Sequence, residues 1–159
     1  MGNTYEEFAA RLKSSIPGVM AIAEWLYRKE WTVILPALIL RPKHADYRDY
    51  QDDGDIFAEK DGKRLRFEVK YNQRNNFTCR EDWPYEDFFL ADKNSVERAK
   101  GGVAAYFWVS NDLTHAAFVR QETSPHWTIA VRYLHNIGKE QHMCVCPLEH
   151  VEFVRIKGE

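Results

Sequence analysis

No apolar run in this chain approaches the roughly 18 to 20 residues that a membrane-spanning helix needs. The longest candidate, TVILPALIL at 32–40, is too short and is interrupted by Pro36. The opening MGNTYEEF is acidic and has no apolar signal core, which argues against secretion. A myristoylation reading of the same stretch would need Ser or Thr at position six, where Glu6 stands. Cysteine is scarce: three residues, an odd number, fit free thiols in a reducing compartment better than a disulfide framework. Net charge is also small, −2 at neutral pH, so no global field advertises nucleic-acid binding. There is no internal repeat and no low-complexity linker. These absences point to one cytoplasmic domain spanning 1–159.

Apolar residues at 45% and charged residues at 29% are ordinary for a globular chain, whereas 14% aromatics is rich and implies a core or groove built from rings. Charge is unevenly spread: between 55 and 80 there are seven Lys/Arg and four Asp/Glu. Thr4 and Glu7 form a capping box for a short first helix, and Ser15 and Pro17 restart a second whose stripe is Val19, Ile22, Ala23 and Leu26. WTVILPALILR then reads as a buried strand broken or bulged at Pro36, followed by a polar, tyrosine-bearing loop, PKHADYRDYQDDG. YEDFFLA is a further strand, Asp92 caps a helix KNSVERAK that stops at Gly101-Gly102, and VAAYFWVS, AAFVRQ, WTIAVRYL and VEFVRI continue as strands. The order implies an α/β or α+β fold with a mixed sheet and a β-rich C-terminal third.

The chemistry centres on two alternating runs, DIFAEK and KRLRFEVK, joined by Asp61-Gly62. Asp-Gly between such runs is the strongest short-range hairpin signal, a type I′ turn. The turn sets Ala58 opposite Leu65 and Ile56 opposite Phe67 as a core side, continued by Val69. On the other side Glu59 meets Arg64. The same register brings Asp55 opposite Glu68, with Cβ atoms about 4.5–5.5 Å apart. Two like charges there repel, and a divalent cation between them removes the repulsion. Carboxylate oxygens suit magnesium, which keeps several waters for a phosphate. Lys70 lies on the same face as Glu68, roughly 6.5–7 Å further along, where its ammonium can stabilise charge developing on a phosphorane-like transition state. Val69 points inward while its carbonyl can lie near the cation. A charged hairpin on the solvent side is the plainer alternative.

The GDI…FEVK arrangement resembles the PD-(D/E)xK nuclease superfamily, with its restriction-endonuclease-like mixed sheet flanked by helices. The layout over about residues 18 to 110 is similar to small phage and Holliday-junction-resolvase-type members, and FTCREDWPYEDFFLADK looks like phage-type ones; the C-terminal third is an extension without assignment. Gly54 stands where the name-giving proline would be. The resemblance implies that Asp55 and Glu68 are metal ligands, that Val69 supplies a backbone ligand, and that Lys70 is the catalytic lysine. It implies a Mg²⁺- or Mn²⁺-dependent phosphodiester hydrolase acting on nucleic acid, DNA before RNA, of phage or mobile-element type, with a homodimer left open. Glu24 is the candidate for the helix acid that such families often add. Inactive members exist, so a non-catalytic nucleic-acid-binding or host-protein-binding factor on the same scaffold is the alternative.

Two other constellations draw notice. HMCVCPLEH offers His142, Cys144, Cys146 and His150, but on a strand His142 and Cys146 lie about 13 Å apart, too far for one tetrahedral zinc with ligands at about 2.0–2.3 Å. Structural cysteines are the better reading, and Cys79 has no identifiable partner for nucleophilic work. YNQRNNFTCREDWPY mixes aromatic and basic residues and either stacks bases or folds Trp83 and Tyr85 onto the core. Arg74 and Arg80, with no evident acidic partner, are the candidate phosphate contacts.

Overall fold

A computed structural model describes residues 5–36, 55–134 and 138–158. It is mixed α+β. Helix α1 is Tyr5–Arg28 and α2 is Lys93–Ala99. The strands are β1 (Thr32–Ile34), β2 (Ile56–Lys60), β3 (Lys63–Tyr71), β4 (Asp87–Asp92), β5 (Ala105–Val109), β6 (His115–Arg120), β7 (Thr128–Leu134), β8 (Lys139–Pro147) and β9 (Glu152–Arg155). Six of them form a sheet in the order β1-β2-β3-β5-β6-β9, and the other three a smaller sheet, β4-β8-β7. Every pairing is antiparallel except β3 with β5. A parallel pair needs a long crossover, and here the crossover carries β4 and α2.

The hairpin forms as its turn residues require. Asp61 (φ 52) and Gly62 (φ 76) are both left-handed, the condition for type I′. Lys60 pairs with Lys63, Glu59 with Arg64, Ala58 with Leu65 and Ile56 with Phe67. Alternation then gives β3 two unlike faces. Phe67 and Val69 are buried against Ile22, Trp25 and Leu26 of α1, with Phe107 and Val109 of β5. Phe107 sits edge-on to Trp25 and Phe67 at 6.2 and 5.7 Å and stacks on Phe118 at 4.8 Å. Each such fully buried side chain is worth about 1.5–3 kcal/mol.

The opposite face is closed by the small sheet. Tyr106, Ala117 and Val119 meet Phe88, Leu90, Cys144 and Cys146, together with Phe77 and Trp83. Helix α1 covers one face of the large sheet, the three-stranded sheet covers the other, and Val96 and Ala99 of α2 pack into that second cluster. The C-terminal third is not an appendage. β6 and β9 complete the large sheet, and β8 is the central strand of the small one.

Three local readings are corrected. The two expected N-terminal helices are one, continuous through Pro17. Proline removes a single intrahelical donor, and the packed turns that follow, Ile22 to Leu26, hold the helix against β3. Helix α2 begins at the expected cap, Asp92, whose carboxylate accepts from Ser95 N–H at 3.0 Å, but it ends on a left-handed Lys100 rather than on a glycine. The strand expected after Trp31 is short, Thr32–Ile34; its continuation past Pro36, the tyrosine-bearing loop, Gly54 and Thr4 lie outside the described residues. No helix among the described residues is long and apolar enough to cross a membrane.

Gly18 marks the closest approach of α1 to β3, since a Cβ built there would lie 2.8 Å from Tyr71 Cβ. Helix propensity alone would favour Gly18→Ala by about 1 kcal/mol, whereas overpacking costs about 1–3 kcal/mol. The clash should win, because the contact is with a Cβ rather than a flexible tip. Gly18→Ala is expected to lower the urea midpoint without changing the slope; a raised midpoint would contradict this account of the α1–β3 contact.

Candidate functional site

Arg66, Glu68 and Lys70 project from β3 on the face away from α1, as alternation from Phe67 and Val69 requires. Glu68 and Lys70 lie beside Tyr106 and Trp108 of β5. Arg66 donates to Glu68 Oε1 at 2.6 Å, with both side chains about a quarter exposed (25% and 27%). A charge-assisted bond of this length is stronger than the exposed Arg64–Glu59 pair at 3.2 Å. The Nε of Arg66 is buried and meets no acceptor among the described residues. Lys70 Nζ lies 5.4 Å from the centroid of the Phe89 ring, and Phe89 is itself fixed by the Trp108 indole, which donates to its carbonyl at 2.6 Å. Burial, helped by the negative charge of Glu68, pushes the Tyr106 hydroxyl up to about 12, so it stays protonated at neutral pH.

Asp55 reaches the site differently from the sequence expectation. The β2–β3 ladder ends at Ile56–Phe67; Asp55 N–H donates to the Phe67 carbonyl at 3.2 Å, one residue short of Glu68. The Asp55 side chain takes over instead, with Oδ2 accepting the Val69 N–H at 2.6 Å. The carboxylate therefore rests on the peptide that links Glu68 to Val69. The N–H and C=O of a strand residue share an edge, so the Val69 carbonyl is also directed to the Asp55 side, beyond the end of β2. The expected cross-strand pairing of Asp55 with Glu68 is not part of the β2–β3 ladder; Asp55 is tied instead to the backbone of Val69 by its side chain.

These donors, two carboxylates and a carbonyl, are hard oxygens of the kind magnesium or manganese takes together with waters. Among the described residues no group of three or more His, Cys, Asp and Glu converges on a metal position. One Glu68 oxygen is bound by Arg66 and one Asp55 oxygen by the Val69 N–H.

Glu24 is not brought to this group. It is exposed on α1, the helix packed on the opposite face of the large sheet. The aromatic–basic segment divides. Phe77 and Trp83 are buried, with Trp83 stacked on Phe88 at 5.8 Å and donating to the Asp87 carbonyl. Tyr85 is exposed, its hydroxyl accepting from the Asn72 and Asn75 amides at 3.4 and 3.2 Å. Asn72, two residues past Lys70, is buried, and its Oδ1 accepts from the N–H groups of Arg74 and Asn75. This turn attaches the exposed Arg74 to the end of β3. Arg80 is exposed at the start of a short 3₁₀ turn, Arg80–Asp82, and neither arginine makes a salt bridge among the described residues. The N–H groups of Cys79 and Thr78 hold the Asp82 carboxyl down at about 2, keeping it ionised where the turn needs it.

Arg66 was missed in the sequence, although its spacing, two before Glu68, was signal enough. Tyr106, Trp108 and Phe89 were not legible, because only the β3–β5 register and the small sheet bring them near. No protein-family model matches the chain, and neither does any curated protein or solved structure.

His142 is exposed on β8, whereas Cys144 and Cys146 are buried in the core, and burial pushes both thiols up, Cys144 to about 11. Cys79 is partly exposed. In a thiol titration at pH 8, one cysteine should react rapidly in the folded protein and all three in denaturant. Two or three fast thiols in the folded protein would contradict the packing of β8. Stoichiometric zinc lost with Cys144→Ser would overturn the structural reading of these cysteines.

Proposed function

We propose that this chain is a metal-dependent nuclease that hydrolyses phosphodiester bonds, DNA before RNA, with Mg²⁺ or Mn²⁺, as a cytoplasmic factor of phage or mobile-element type. The observation that carries the reading is the Asp55 carboxylate held on the Glu68–Val69 peptide, with Lys70 one step further on the same face. The likeness to the PD-(D/E)xK pattern rests on these residues, and a hairpin feeding a parallel strand pair is consistent with it.

In this reading Asp55, Glu68 and the Val69 carbonyl hold the cation. When bound, it supplies positive charge for the attacking and leaving oxygens of the displacement. Lys70, kept at the rim by the Phe89 ring, stabilises negative charge on the phosphoryl oxygens. Arg66 orients Glu68 through its bond to Oε1. Arg74 and Arg80 contact flanking phosphates, positioning the strand without reading its bases. The Arg66–Glu68 ion pair also favours a second reading, a non-catalytic nucleic-acid-binding module, because it neutralises Glu68 without any cation.

Cleavage assays on single-stranded, duplex and branched substrates decide between them. The wild type should cut in Mg²⁺ or Mn²⁺ and stop in EDTA. Glu68→Ala should lose both cleavage and Mn²⁺ affinity by calorimetry. Lys70→Ala should lose cleavage by about 10²–10³, by analogy with other preorganised charges, while retaining Mn²⁺ binding. A wild type that binds these substrates and cuts none of them would leave the binding module as the account.

A further inference from the structure

Past Lys70 the chain leaves β3 through a polar turn centred on Asn72. This residue is buried, and its N–H carries the β3–β5 ladder one step further by donating to the Val109 carbonyl at 2.9 Å. Its side chain serves two neighbours. Oδ1 accepts from the N–H groups of Arg74 and Asn75 at 3.0 and 3.1 Å, while Nδ2 donates to the Tyr85 hydroxyl at 3.4 Å. The Asn75 amide donates to the same hydroxyl at 3.2 Å. Tyr85 is thus anchored by its polar tip to the end of the strand that bears Lys70, yet it is 43% exposed. Phe77, Trp83 and Phe88 form the buried cluster beside it. The contact between the Trp83 and Tyr85 rings, 5.5 Å between centroids at 75°, is edge-to-face and occupies at most one face of Tyr85. Arg74 stands in the same turn, exposed and without a salt bridge among the described residues. Its Cα is about 3.8 Å from that of Asn75.

We propose that Tyr85 is a stacking platform for an unpaired base and that Arg74 takes the adjoining phosphate, so that the nucleic acid reaching Lys70 is single-stranded at this point. The inference deepens the reading of the charged row as a nucleic-acid site, on which it rests, by naming the strandedness of the ligand. An aromatic ring beside a free cation is the combination that holds single strands: the ring takes the face of a base and the cation takes the backbone. A base inside a duplex is already stacked on its neighbours and has no face to offer, whereas an unpaired base can be splayed onto a ring. The two amides fix the Tyr85 hydroxyl before any ligand arrives, which lowers the ordering cost of binding. Every base has a π-face, so the platform selects strandedness and not sequence.

Fluorescence anisotropy of end-labelled oligomers, read in EDTA so that cleavage plays no part, tests it with two variants that both remove the hydroxyl. Tyr85→Phe keeps a ring, and Tyr85→Leu keeps only apolar bulk. The position is exposed, so both should retain the wild-type circular dichroism. Tyr85→Leu should bind oligothymidylate at least about fivefold more weakly than Tyr85→Phe, the smaller end of what stacking one base supplies. The two variants should bind an abasic oligomer of the same length equally, and a duplex equally. Arg74→Ala should weaken both single-stranded oligomers and lower the salt slope by about one. Equal binding of oligothymidylate by the Phe and Leu variants, or no binding by the wild type, would overturn the platform. So would a Phe–Leu difference of the same size on the abasic oligomer or the duplex, because the ring would then act through the fold. Cleavage is scored separately. A protein that cuts in Mg²⁺ without a Phe–Leu difference loses only the platform, and one that shows the difference without cutting loses only the nuclease reading.

Discussion

The two-sided pairing of β3 is the constraint on which the remaining structure depends. A left-handed Asp61-Gly62 turn locks β3 to β2 in one register, and a parallel ladder locks it to β5. Because side chains alternate strictly, a slip of one residue would exchange Phe67 and Val69 with Glu68 and Lys70, exposing core and burying charge. The core under α1 and the charged row on the other face are therefore set by a single choice of register.

The charged row is then framed from outside the hairpin. The parallel partner sets Tyr106 and Trp108 beside it, while the small sheet delivers Phe89 to the Lys70 ammonium and Cys144 and Cys146 to the core behind Tyr106. Arg66 and Glu68 are partly buried, which strengthens their ion pair.

Asp55 illustrates how a side chain can take over a backbone role at the end of a strand. It stands just outside β2, and its side chain accepts the backbone N–H that a longer β2 would have satisfied through a carbonyl. A buried strand N–H without a partner costs roughly 1–3 kcal/mol, so this bond contributes to folding independently of any role in a site. Conservative replacement by Asn would retain an acceptor while removing the charge, which separates the two roles in principle.

By itself the sequence determined the hairpin, its register, the inward side of Ile56, Ala58, Phe67 and Val69 and the Asp92 cap, because these follow from period-two alternation and local turn chemistry; it did not include β8 among the strands, and there four consecutive residues, Met143 to Cys146, are buried. It misjudged Pro17, where packing several residues away outweighed a local break, and it did not show that a second sheet covers one face of the large one. It was silent on Tyr106, Trp108 and Phe89. Their positions depend on contacts between segments nineteen or more residues apart, and no periodicity within one segment encodes which strand will lie beside it. Only the tertiary structure decided that Trp83 belongs to the core and Tyr85 to the surface, since both carry an aromatic ring and the difference is made by what Phe88 and Asn72 offer each of them.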